Sequence, residues 1–114
     1  MKFIITEHKL DKIIFNYITS IIKNNSDVQR SEVDTFIVYY DKNDEDNVLI
    51  EFDDFDGRLY IEKNLISIIS DTFNISSETA MIKICDFFEY YEGIKPDFLE
   101  GYPSKGGHIK IKID

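Results

Sequence analysis

The residues best equipped for chemistry in this chain are carboxylates. Nine of them fall between Asp41 and Glu62 (Asp41, Asp44, Glu45, Asp46, Glu51, Asp53, Asp54, Asp56 and Glu62), against Lys42 and Arg58 alone. Oxygen ligands at that density suggest a hard cation, and an EF-hand loop would need Asp at position 1, Gly at 6 and Glu at 12. Setting Gly57 at position 6 puts Phe52 first and Lys63 last. Starting at Asp41 puts Asp46 at the glycine position and Phe52 at the glutamate position. Neither register fits, and Asp44, Asp46, Asp54 and Asp56 are ordered by no other ligand motif, so no metal is assigned. Paired carboxylates also perform acid/base catalysis when burial separates their pKa values. Asp53, Asp54 and Asp56 sit at an expected hairpin tip, where a chain of 114 residues builds little cleft.

The other reactive side chains are sparse. His8 and His108 lie far apart, at an expected helix start and an expected strand start, and two histidines make a poor metal site. Cys85 is alone, so it forms no internal disulfide, and its place in an apolar helical stripe marks it as a small buried hydrophobe. No nucleophile elbow, phosphate loop, His-Glu-x-x-His or Cys-x-x-Cys occurs. These residues imply no enzyme activity and no cofactor. The carboxylates are then candidates for recognition: Asp44, Glu45, Asp46, Glu51, Asp53, Asp54 and Asp56 form the expected acidic interaction surface.

Charge narrows the partners. The net charge is −9. The Asp41–Glu62 stretch contributes −7 (two basic residues minus nine acidic), while residues 1–23 and 101–114 are each +2. Direct nucleic-acid binding needs a cationic footprint, and anionic membranes attract basic segments, so neither is expected. A basic protein partner suits this polarity, as does association of the chain with itself. The apolar runs are far shorter than the roughly 20 residues of a bilayer span, and no secretory signal is seen, which gives a cytoplasmic or otherwise intracellular expectation.

The elements that must position these groups follow from periodicity. Lys2–Ile5 suits a short strand and Thr6 an N-cap. Leu10, Ile13, Ile14, Tyr17, Ile18, Ile21 and Ile22 repeat at helical spacing, and Phe15 widens the apolar arc to about 200°, more than one sheet face requires. Val33–Asp41 and Val48–Asp54 read as strands, with a loop over Lys42–Asn47. Asp56-Gly57 predicts a two-residue turn that would set Phe52 opposite Ile61 and Glu51 opposite Glu62. Helices are expected over Asn64–Thr72 and from Ser76 or Ser77 to a cap at Gly93. Both prolines, Pro96 and Pro103, and three glycines make Lys95–Gly107 a loop. His108–Asp114 alternates isoleucine with lysine, and charge would place Lys110 and Lys112 beside Glu51, Asp53 or Glu62. The reading is one α+β domain, with helices on one face of a mostly antiparallel sheet of about four or five strands in the order β-α-β-β-β-α-α-β.

Seven tyrosines and nine phenylalanines complete the picture. Most suit the core, but Tyr39-Tyr40 and Tyr90-Tyr91 are adjacent pairs, so one ring of each should face outward. Phe15, Tyr39, Tyr40 and Tyr90 are therefore the candidate apolar interface. The opening Lys2-Phe3-Ile4-Ile5-Thr6-Glu7-His8-Lys9-Leu10 resembles the start of small uncharacterised proteins encoded by tailed bacteriophages. That resemblance covers about a tenth of the chain and implies no activity; it suggests an accessory or virion-associated protein. The function expected is a non-enzymatic interaction module. The alternative is an acidic inhibitor that occupies a basic site on a nuclease or DNA-binding protein.

Overall fold

The computed structural model describes residues 7–31, 36–102 and 109–112. The expected strand at Lys2–Ile5, the Thr6 cap and His108 lie outside the described residues. Within them the order is α1 (Glu7–Asn25), β1 (Ser26–Ser31), β2 (Phe36–Asp41), β3 (Asp44–Asp53), β4 (Arg58–Glu62), α2 (Lys63–Phe73), α3 (Ser77–Glu92), β5 (Phe98–Tyr102) and β6 (Ile109–Lys112). The fold is α+β.

The six strands lie side by side in chain order. β1–β2, β2–β3, β3–β4 and β5–β6 are antiparallel, but β4–β5 is parallel. The sheet is therefore mixed, not the mostly antiparallel sheet that the sequence suggested. Two strands were hidden. β1 carries a single aliphatic residue, Val28, and β5 occupies part of the stretch read as a Pro- and Gly-rich loop.

Alternation gives the sheet a helix-covered face and a polar one. Ile37 and Tyr39, Ile50 and Phe52, Leu59 and Ile61, and Leu99 point into one core with Ile14, Ile18 and Ile22 of α1. Leu65, Ile66 and Ile69 of α2, and Met81, Ile84, Phe87 and Phe88 of α3, complete it. The wide apolar arc of α1 is used by its neighbours. Tyr17 meets Phe73 of α2 edge-on at 5.2 Å, and Phe15 meets Tyr90 of α3 at 5.3 Å. Lys83 of α3 also pairs with Asp11 of α1 at 2.6 Å.

The helix ends follow their local chemistry. Ser76 accepts the Thr79 N–H at 3.0 Å at the start of α3, and Gly93 ends it at φ 68°. Asn74 takes the left-handed conformation after α2, where a short amide side chain is tolerated.

The β3–β4 connection corrects the expected register. The loop is Asp54-Phe55-Asp56-Gly57, closed by Asp53 opposite Arg58. Phe52 consequently faces Leu59, and Glu51 faces Tyr60 instead of Glu62. The like-charge pair that would have required nearby lysines does not form. β6 pairs with β5, setting Lys110 opposite Glu100 and Lys112 opposite Phe98, so β4 and β5 both separate the lysine strand from β3.

Gly57 holds this loop at φ 66°, and a Cβ there would lie 2.5 Å from Asp97 Oδ2. Its carbonyl accepts both Asp97 N–H at 2.8 Å and Phe98 N–H at 3.3 Å, tying the loop to the start of β5. Gly57→Ala is expected to lower stability by about 1–2 kcal/mol, chiefly from the backbone conformation, since the Asp97 side chain is exposed and yields. Urea unfolding followed by circular dichroism measures it.

Candidate functional site

The acidic segment does not form one surface. β3 extends ten residues, so its two ends lie roughly 30 Å apart at about 3.3 Å per residue. Asp44, Glu45 and Asp46 are exposed at one end, beside the two-residue turn that replaces the expected Lys42–Asn47 loop. Asp53, Asp54 and Asp56 surround the apex at the other. Glu51 lies between them on the polar sheet face, half-buried, with its carboxyl raised by desolvation and then by Asp53.

At the β3–β4 apex the aspartates divide by role. Asp53 Oδ1 accepts the Phe55 N–H at 2.9 Å, and Asp56 Oδ1 accepts the Arg58 N–H at 3.1 Å. The Tyr60 hydroxyl donates to Asp56 Oδ2 at 3.3 Å. These bonds brace the turn, while Asp54 is exposed and has no such bond. Between the braces stands Phe55, 97% exposed. Burying a phenylalanine ring contributes about 1.5–3 kcal/mol to folding, and this turn forgoes it. Sequence reading missed Phe55 because a two-residue turn would have placed it inside a strand. The signal was there, in a large apolar residue flanked by Asp53-Asp54 and Asp56-Gly57.

The polar face behind the apex has its own electrostatics. Arg58 Nη1 lies 3.9 Å from Glu100 Oε1, and its guanidinium sits 5.5 Å from the Phe98 ring centre. Glu62 and Glu100 are both buried. Burial raises the Glu62 carboxyl, with the Asp41 charge adding to it. Among the described residues no group of three or more His, Cys, Asp or Glu is placed to hold a metal ion.

The expected aromatic interface is dispersed. Tyr39 is 4% exposed and belongs to the core, which removes it from the surface. Tyr40 is half-buried, Phe15 is half-buried against α3, and Tyr90 is 72% exposed. Instead of facing outward, Tyr39 donates its hydroxyl to Glu92 Oε2 at 2.8 Å. Arg30 grips the same carboxylate with Nε to Oε1 at 2.6 Å and Nη2 to Oε2 at 2.7 Å. This bidentate contact fastens edge strand β1 to the last turn of α3. Neither Arg30 nor Glu92 stood out in the sequence, 62 residues apart. Cys85 is buried, and desolvation pushes its thiol up to about 12, so it stays protonated and unreactive at neutral pH.

The Arg30 and Tyr39 hydrogen bonds hold the Glu92 carboxyl below its ordinary value of 4.5, against the opposing effect of burial. A carboxylate more acidic folded than unfolded stabilises fully above its unfolded pKa, and that stabilisation is lost as pH falls through the folded value. Glu92→Gln is expected to reduce stability at pH 7 by about 1–3 kcal/mol, from one charged pair and a weakened phenol contact. The gap between variant and parent should close in urea titrations as pH falls below 4.5.

Comparison of the chain with protein-family models, with curated proteins and with solved structures finds no match in any of the three.

Proposed function

We propose that the protein is a non-enzymatic interaction module that engages its partner through the β3–β4 apex. The observation that carries this reading is Phe55, an almost fully exposed ring on a turn whose backbone is already fixed. An aromatic anchor presented this way loses little conformational entropy on docking, which is what makes such residues binding hot spots. Asp53, Asp54 and Asp56 around it favour a partner whose apolar pocket is rimmed by lysine or arginine. Charges at the rim chiefly accelerate association and make it sensitive to salt.

The acidic inhibitor of a nuclease or DNA-binding protein is a special case of the same surface. It requires the basic rim to be the partner's nucleic-acid site. The far acidic end of β3 supports this less directly, because about 30 Å separates it from Phe55 and, among the described residues, no exposed apolar anchor accompanies it there.

The test is capture from source lysate with the parent chain, Phe55→Ser and Asp54→Asn side by side. Asp54 is the informative acid, because removing Asp53 or Asp56 would also loosen the turn. At least one protein should be retained by the parent and lost with Phe55→Ser, with affinity falling roughly 30-fold, the effect of about 2 kcal/mol at a hot spot. Asp54→Asn should slow its association and flatten the salt dependence. Identical retention profiles for the parent and Phe55→Ser would overturn the reading.

A further inference from the structure

A second feature lies at the β1 side of the sheet. A cavity of about 260 Å³ opens between the last turns of α1 and α3 and strands β1 and β2. Its apolar wall is made by Val28, Phe87 and Tyr91, and its polar wall by Lys23, Arg30 and Glu92. An engineered apolar cavity of about 150 Å³ accepts benzene, so this one has room for a benzene ring with a substituent.

The hydrogen-bonding capacity around it is lopsided. The Glu92 carboxylate already receives Arg30 and the Tyr39 hydroxyl, and Ser26 Oγ donates to the Ile22 carbonyl. Two more carbonyls near the end of α1 are occupied, Ile21 by Asn25 Nδ2 and Asn25 by the Lys42 N–H. Capping of these groups weakens the negative helix ends that would otherwise draw a cation.

The unspent groups are donors. Arg30 gives two of its five N–H groups to Glu92 and also meets the Tyr39 hydroxyl, which leaves part of its donor set for a ligand. The Lys23 ammonium rests 4.0 Å from the Tyr91 ring centre, and among the described residues it has no carboxylate within ion-pair distance. With Arg30 and Glu92 cancelling, Lys23 leaves the site one positive charge on a protein of net charge −9.

We propose that this cavity is a binding site for a small aromatic carboxylate. Its ring packs against Val28 and Tyr91, and its carboxylate takes hydrogen bonds from Lys23 and the Arg30 N–H groups that Glu92 leaves over. The site is independent of the Phe55 apex and shares no residue with it.

Benzoate is the probe, and its uncharged isostere benzamide the comparator, in amide NMR titrations of the whole chain. Benzoate should give saturable shifts at Lys23, Ser26, Val28 and Tyr91 with a Kd of roughly 0.1–10 mM, in keeping with so few atoms. Benzamide should bind at least about fivefold more weakly. Lys23→Gln, at an exposed position, should weaken benzoate by about fivefold and leave benzamide unchanged, reflecting one lost ion pair. Val28→Phe, which fills the cavity and suits a strand, should abolish both. Shifts that never saturate, shifts centred elsewhere, or equal affinity for benzoate and benzamide would each overturn the proposal.

Discussion

Parallel neighbours cannot be joined by a hairpin, so a chain leaving β4 at Glu62 has to cross the sheet before it re-enters at Phe98. That crossover is α2 and α3, and everything else in the molecule accommodates it. Both helices lie against β4 and β5, α3 reaches on to β1, β2 and β3 through Glu92, Phe87 and Phe88, and α1 packs against the two of them. Among the described residues no helix covers the polar face. Apolar burial is concentrated on the helical side, while Glu62 and Glu100 are buried on the other. Arg58 beside Glu100 and Asp56 beneath Tyr60 are contacts of that polar side.

The two candidate sites lie apart, one at the apex of the central β3–β4 pair and one beside β1. The β3–β4 apex is fixed from outside the hairpin, through the Gly57 carbonyl bonded to the start of β5. The parallel pairing therefore steadies the turn that displays Phe55. The cavity arises beside β1, where α1 and α3 end above that strand and the Arg30–Glu92 contact spans the gap. Both depend on the same core: Phe55 stands outside it, whereas the cavity borders it through Tyr39 and Phe87.

Much of the fold was legible because its signals were local. The isoleucine spacing of α1, the Ser76 cap and the Gly93 stop each act within a turn or two, and the structure shows them as expected. What was not legible depended on distant partners. β1 is mostly polar because an edge strand needs only Val28 directed inward, with Arg30 finding its charge on α3. β5 hid among prolines and glycines, and the mixed sheet hid with it. The acidic surface was misjudged for a geometric reason. Residues close in sequence separate by over 3 Å per step along a strand, so an extended ten-residue segment divides what composition groups together. Phe55 and Tyr39 exchanged places for related reasons: a turn two residues longer expels one, and a buried hydroxyl with a carboxylate partner lets the other turn inward.

The claim at the centre of this account is that Phe55 is both exposed and held still in the free protein. The chain contains no tryptophan, so Phe55→Trp creates a single fluorescent reporter at the apex. Emission characteristic of water-exposed indole, with ready acrylamide quenching and anisotropy close to that of the whole molecule, is the expected result. Blue-shifted emission would mean that the ring folds back onto the sheet, and low anisotropy would mean that the turn is loose; either would contradict the account.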